Sequence, residues 1–259
     1  MDERAEIERE RARLGLPTRA VIGCVHGNLE ALEAVLADVD RQSIFDVVCL
    51  GDVIGYGPDP VECIELVRAR CRFTLRGHAD DAFFAGFIPW GSINAVRVIE
   101  WTRERLVDRS DLRAFLEALP ERHEEGGDLY VHGSPRDPIH EYLLETDLGY
   151  QPEQKYEEVF AAVSERVFVA HSHVPGVITP DLAWHEPLEP YTQPPTTKAA
   201  INVGSVGQPR DGDARACYVT VAGRTVEWRR VPYDFTRTQE KMRAAGFADH
   251  LVNRLPKGV

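Results

Sequence analysis

No apolar run in this chain approaches the length of a membrane span, which argues against a transmembrane helix. The segment from Met1-Asp2-Glu3-Arg4 onward lacks the apolar core of a signal peptide, so no secretory leader is expected there. There is no excess of positive charge: 30 Lys and Arg stand against 42 Asp and Glu, a formal net charge of -12. That balance disfavours a nucleic-acid backbone or an anionic membrane as the main partner, while leaving room for a small phosphorylated ligand whose charge a metal would meet. Cysteine is sparse and odd in number, five in all, mostly within apolar runs. No disulfide framework follows, and a reducing cytoplasm is the simplest home. Internal repeats and low-complexity tracts are also missing, and 259 residues suffice for one large core or at most two small ones.

What is present is a repeated pattern. The strand-like run Ala20–Val25 empties into His26-Gly27-Asn28. Phe45–Leu50 ends on Gly51-Asp52, Arg72–Arg76 on Gly77-His78, Asp128–Val131 on His132-Gly133, and Arg166–Ala170 on His171-Ser172-His173. Potential ligands delivered at successive strand ends are how an open α/β sheet assembles a site along one edge. Imidazole, thiolate and carboxylate together suit transition metals. The spacing Cys24-x-His26 puts both side chains on one side of an extended chain, and His171-x-His173 does the same.

Between the strands the pattern is helical. Asn28 is a good N-cap before Leu29, Leu32, Val35, Leu36 and Val39. Asp59-Pro60-Val61-Glu62 opens a second helix through Ile64 and Val67. Ser110 caps Leu112–Leu119, which Pro120 ends. Tyr156, Val159, Phe160 and Val163 mark another. Alternation up to about Ala170 predicts a parallel-rich α/β core. After Val174 come Ala199–Val203 and a hairpin of Ala216–Ala222 with Thr225–Val231 turning at Gly223-Arg224. The proline-rich stretch Pro175–Lys198 is expected to run over the surface as an inert loop, with a lid as the alternative.

The ordered segments Cys24-Val25-His26-Gly27-Asn28, Gly51-Asp52-Val53-Ile54-Gly55-Tyr56-Gly57-Pro58, Arg76-Gly77-His78-Ala79-Asp80, Val131-His132-Gly133-Ser134-Pro135 and Ala170-His171-Ser172-His173 resemble the calcineurin-like metallophosphoesterases. The likeness is nearest to their compact diadenosine-tetraphosphatase-like or YfcE-like bacterial and archaeal members, and it runs from about Arg19 to about Val231. It implies a four-layer α/β/β/α sandwich of two mixed β-sheets flanked by helices. It divides the chain into a charged helical extension (1–17), the phosphoesterase-like domain (18–233) and a helical tail (234–259) packed on that domain.

The resemblance also implies two divalent or transition metal ions. One would be held by Cys24, His26 and His173, the other by His78, His132 and His171, with Asp52 bridging and catalytic. Three positions depart from the family: Cys24 replaces Asp, His78 replaces Asn, and Ala79 replaces a catalytic His. A Cys24 thiolate would favour Zn or Fe over Mn or Mg, although a cysteine ending an apolar strand also serves as a small buried hydrophobe. An alanine methyl neither donates a proton nor stabilises charge. Asp80 is retained, and His140 is a candidate replacement from elsewhere, with a plain surface role as its alternative. Arg210 and Arg136 are candidate phosphate contacts or partners of their neighbours Asp211 and Asp137. Tyr56 is a candidate pocket wall, a platform for a base, or a residue packed in its own loop. Asn202 is a candidate support or a turn residue. The expected activity is binuclear metal-dependent phosphodiester or nucleotide hydrolysis through a metal-activated hydroxide. The rival is a catalytically impaired metal- and phosphate-binding module. A Cys-ligated iron pair with a redox role is a third reading.

Overall fold

Strands β1 (Arg19–Ile22), β2 (Asp46–Cys49) and β3 (Phe73–Thr74) alternate with helices α2 (Leu29–Arg41) and α3 (Pro60–Arg70), behind an N-terminal α1 (Glu3–Arg13). Helices α4 (His78–Phe84), α5 (Ile93–Arg105) and α6 (Ser110–Glu117) lead to β4 (Arg122–Glu125) and β5 (Asp128–Val131), and α7 (Glu153–Ala161) precedes β6 (Arg166–Val169). Then come β7 (Gly176–Ile178), β8 (Trp184–His185), β9 (Tyr191–Thr192), β10 (Ala199–Asn202), β11 (Ala216–Ala222) and β12 (Thr225–Val231), followed by α8 (Phe235–Ala244) and α9 (Asp249–Arg254). The computed structural model describes residues 3–85, 92–149 and 153–259, so Met1 and Asp2 of the predicted extension lie outside the described residues.

The described strands form two six-stranded sheets, in the orders β3-β2-β1-β11-β12-β9 and β4-β5-β6-β10-β7-β8. Both are mixed. β1–β2 and β2–β3 are parallel while β11 joins β1 antiparallel, and β5–β6–β10 are parallel while β4 and β7 run against them. The two-residue side-chain period of a strand sorts the core into layers. Val21 and Val48 meet Tyr130, Phe168, Ala199 and Ile201 between the sheets. Ala20, Ile22, Val47 and Cys49 face the other way, onto Leu32, Val35 and Leu36 of α2, Ile64 and Val67 of α3, and Leu112 and Leu116 of α6. Leu129, Val131, Val167 and Val169 pack on Tyr156, Val159 and Phe160 of α7. The arrangement is the expected four-layer α/β/β/α sandwich.

The Asn28 cap forms, its side chain accepting from Ala31 N–H at 3.3 Å. Asp59 occupies the N-cap of α3 without a capping bond; its carboxylate instead meets Lys241 Nζ at 2.9 Å. Ser110 is the first helical residue, with Arg109 at the N-cap position. The hairpin runs in register from Ala216 opposite Val231 to Ala222 opposite Thr225. The inert-loop expectation for Pro175–Lys198 is corrected: β7 and β8 complete the edge of one sheet and β9 the edge of the other. Strands of two or three residues fit between prolines at a sheet edge, where a missing N–H is tolerated. The β-rich end of the chain is no separate layer either, since β10 joins β6 while β11 returns to β1. All five cysteines are free, and no described helix is long and apolar enough to cross a membrane.

Beyond β12, Thr238 Oγ1 donates to Glu30 Oε2 at 3.0 Å and Lys241 Nζ pairs with Glu30 at 2.7 Å. Met242, Leu251, Val252 and Leu255 cluster with Val98 of α5, and Tyr56 packs against that cluster.

Candidate metal centre

β1 and β2 run parallel and in register, so their carboxyl ends open side by side. Beyond Ile22 the chain is not extended: Cys24 and His26 are left-handed, with φ of 51° and 52°. Strand alternation therefore does not aim these two side chains; a left-handed turn does. Neighbouring backbone holds that turn. Cys24 N–H donates to Gly51 O at 2.9 Å and His26 N–H to Asp52 O at 2.8 Å. The Cys24 carbonyl accepts from Gly207 N–H and from the Ser205 hydroxyl, both at 2.9 Å. Asp52, Tyr56 and His173 are left-handed too, so five of the seven non-glycine residues with positive φ among the described residues gather at this edge. Each costs on the order of 1–3 kcal/mol, and such strain concentrates where function requires it.

The ligand atoms of Cys24, His26, Asp52 and His173 lie within 4.8 Å of one another, and those of Asp52, His132 and His171 form a second such group. Asp52 belongs to both. Its Oδ1 accepts from Ala79 N–H at 2.6 Å, while Oδ2 stands 3.4 Å from His26 Nε2 and 3.3 Å from His132 Nε2.

Three imidazoles are oriented alike. Nδ1–H of His26, His132 and His173 donates to the carbonyls of Ile54 (3.1 Å), Leu50 (3.0 Å) and Gln208 (2.6 Å). A carbonyl only accepts, so these partners assign the proton to Nδ1 and leave a lone pair on Nε2 of each neutral ring. His26 Nε2 and His173 Nε2 face each other at 3.0 Å. Burial pushes His26 down to about 4 and His173 well below the ordinary range. Both rings are then neutral at pH 7, and two lone pairs oppose each other in a buried place. A cation between them turns this repulsion into ligation, and two imidazoles, a thiol and a carboxylate are a competent donor set for a divalent transition metal.

The second group has its own electrostatics. Burial would push the Asp52 carboxyl up, but His132 and His26 outweigh it and hold Asp52 well below the usual carboxylate range. Burial would likewise depress His132, but Asp52 outweighs it and raises the imidazole. His171 Nδ1 lies 2.9 Å from His132 Nε2; burial, then the charge of His132, push His171 down to about 2. Burial, followed by Asp52, pushes the Cys24 thiol up. Metal entry must therefore displace the proton of Cys24.

Other sequence candidates fall in different places. His78, the first residue of α4, is half-buried and outside both ligand groups, its ring centre 5.1 Å from that of His171. Burial lowers its pKa. His140 sits behind it, 5.5 Å ring to ring, within 3.7 Å of Asp81 and 3.4 Å of Asp137. Asp80 does not face the site. Its Oδ1 accepts from Val53 and Ile54 N–H at 3.0 and 3.2 Å and its Oδ2 from Gly77 N–H at 3.0 Å, bracing the Asp52 loop against the start of α4. Burial, then the charge of Asp52, push Asp80 up to about 7. Arg136 points away from the site, ion-paired with Glu141 and Glu158 at 3.6 and 3.3 Å. Asn202 supports the His171–His173 turn by donating to Ser172 Oγ at 2.8 Å.

A cavity of about 190 Å³ opens over Asp52, His171 and His173. Arg210 and Tyr56 line it, as the sequence suggested. The guanidinium lies 5.8 Å over the Tyr56 ring and donates to Gln208 Oε1 at 2.8 Å. Its Nε is buried with no hydrogen-bond partner among the described residues. Asp211, the alternative partner, is taken by Arg230. Sequence reasoning missed Tyr142, whose ring stacks on His171 at 4.0 Å and 8°. It also missed Ser205 and Gln208, which hold the Cys24 and His173 turns; both lie in the turn-rich stretch that carries Arg210.

Residues 18–200 match the family model described as calcineurin-like phosphoesterase. An uncharacterized protein of Methanocaldococcus jannaschii is 34% identical over 252 residues, 92% of this chain and 93% of that protein. The crystal structure of a metallophosphoesterase from Sphaerobacter thermophilus matches at 38% identity and a TM-score of 0.81, over 93% of this chain and 98% of that one. The structure of a hypothetical protein from Pyrococcus horikoshii OT3 shares the fold, with a TM-score of 0.75 at 21% identity over 93% of this chain and 98% of that one.

Proposed function

The chain belongs to the calcineurin-like phosphoesterase family, and from that premise we propose that it hydrolyses a phosphoester of a small molecule with two bound divalent cations. The observation that carries this reading is the 3.0 Å approach of two lone-pair-bearing nitrogens, His26 Nε2 and His173 Nε2, beside the shared carboxylate of Asp52. Cys24, His26, His173 and Asp52 would hold one cation, and Asp52, His132 and His171 the other. The thiolate favours Zn or Fe over Mn or Mg. When bound, such a pair polarises phosphoryl oxygens and lowers the pKa of water.

The protein's own groups do the rest. Backbone carbonyls fix the tautomers of His26, His132 and His173, so each ring offers the same nitrogen without rearrangement. The Ala79 N–H holds Asp52 Oδ1 and leaves Oδ2 to face both groups. Arg210 brings a fixed positive charge to the cavity and suits a phosphoryl oxygen. The test is hydrolysis of bis(p-nitrophenyl) phosphate by Zn- or Fe-loaded protein. Activity should vanish with a chelator and return with metal; a fully loaded protein without activity would contradict the proposal.

One observation favours a second reading, a metal- and phosphate-binding module with weak catalysis. The side chain at position 79 is a methyl lining the cavity, and Asp80 behind it is bound to backbone amides. On the first reading, Ala79→His raises hydrolysis of a diester with a poor leaving group by roughly tenfold, the low end of general acid–base contributions. No gain in a variant that loads metal normally favours the binder.

A further inference from the structure

One wall of the cavity, beside the Asp52 carboxylate, is apolar. Ala79 and Ala82 of α4 and Ile99 of α5 pack together there, and Ala95, one turn before Ile99, extends the wall toward solvent. Gly55 closes the floor, where a Cβ would come within 2.9 Å of the Ala79 Cβ, so both positions are small where backbone and helix approach most closely. Two aromatic rings flank the space: Tyr56, edge-on to His26 at 4.8 Å, and Tyr142, stacked on His171. Among the described residues lining this cavity, Asp52 is the only carboxylate, there is no side-chain amide, and the Ser92 hydroxyl at the rim accepts from Ala95 N–H at 3.2 Å. A polyol such as a sugar would find few partners for its hydroxyls on this wall, and its desolvated oxygens would cost free energy. A flat apolar group would fill it, with its phosphoryl group between the ligand cluster and Arg210.

Resting on the phosphoesterase reading, we propose that Ala79, Ala82, Ala95 and Ile99 form a specificity subsite that selects phosphoesters whose organic group next to phosphorus is flat and apolar, of aryl type. A cluster of methyl groups beside a few polar groups, Asp52, His171, His173 and Arg210, is how a pocket fixes the orientation of an amphipathic ligand.

The test is calorimetric titration of the Zn-loaded full chain with phenylphosphonate and with methylphosphonate, which share the metal-seeking group and are not hydrolysed. The wild type should bind phenylphosphonate roughly tenfold or more tightly, the scale expected for burying a few methylene equivalents. Ala95→Leu, at the half-buried rim, should bring the phenyl-to-methyl ratio toward one, and Ala95→Ser should keep most of it. Equal affinities in the wild type would overturn the subsite alone. Failure of both phosphonates to bind a metal-loaded protein would overturn the subsite together with the phosphoesterase reading. An Ala95→Leu protein that loads metal but keeps the full ratio would show that the aryl group lies elsewhere and would likewise overturn the subsite.

Discussion

Around Cys24, His26 and His173 every donor is enclosed, with no more than 1% of each residue exposed, and both rings are pinned by backbone carbonyls. Around His171 the contacts are rings against rings, with Tyr142 on one face and half-buried His78 edge-on, and the cavity lies alongside. The first group sits on left-handed turns that the surrounding ladder holds in place; in the second, the Leu50 carbonyl pins His132 while His171 rests against neighbouring rings. A cation in the first group should therefore exchange slowly, and one in the second should exchange more readily and meet substrate.

Asp52→Asn attacks the feature common to both groups and should have the largest effect. Losing an outer-shell partner alone typically costs about 10–100-fold in metal affinity or activity; losing the shared carboxylate should cost at least roughly a hundredfold in hydrolysis, with metal content below two equivalents. Full metal content with unaltered turnover would remove the distinction between shared and private ligands.

Acid should set His132 apart from the other three rings by sign. His26 has its folded pKa lowered to about 4 from 6.5 by burial, so the unfolded chain takes up a proton that the folded metal-free chain does not. That stability is complete above about 6.5 and is lost as pH falls toward 4, by roughly 3 kcal/mol for this one ring. His171 and His173 act in the same direction. His132, raised by Asp52 against burial, contributes in the opposite sense, with stability lost as pH rises through its folded value. Urea unfolding of metal-free protein should show falling stability from pH 7 to 4.5. A flat profile would mean that these rings are not buried neutral.

Cys24→Ser against His78→Ala tests which histidines and thiols belong to the enclosed group. The cysteine variant should weaken one metal equivalent by more than about tenfold and remove a near-ultraviolet thiolate band from Co²⁺-loaded protein. The His78 variant should keep two equivalents, since the His78 ring stands outside both groups. The smallest contrast is at the arginines. Arg210→Gln should lower kcat/KM about tenfold, the value of one charged hydrogen bond, while Arg136→Ala, an exposed ion-pair residue, should stay within about twofold.

The candidate ligands were legible because each lies at the end of a strand-like run, and the ligand atoms of six of the seven named come together: Cys24, His26, Asp52, His132, His171 and His173. His78 was named for the same reason; it opens a helix and lines the cavity beside His171 without joining either cluster of ligand atoms. The turn geometry at Cys24 and His26 left no trace in the sequence, because neither residue is a glycine and the left-handed backbone is imposed by Gly51, Asp52, Ser205 and Gly207. Tyr142 meets His171 through long-range packing that no local pattern announces. The edge strands β7 to β9 are two or three residues long amid prolines, too short for a period to be read. The four-layer sandwich was legible only through the family resemblance; periodicity alone placed strands and helices without saying that β11 would return to β1.

The account rests most directly on two cations sharing Asp52. Elemental analysis of protein purified without added metal, repeated after Zn loading and gel filtration, measures it. The account predicts about two equivalents per chain after loading, at least one of them retained through brief chelation by the enclosed group. One equivalent or fewer after loading of folded protein would contradict it.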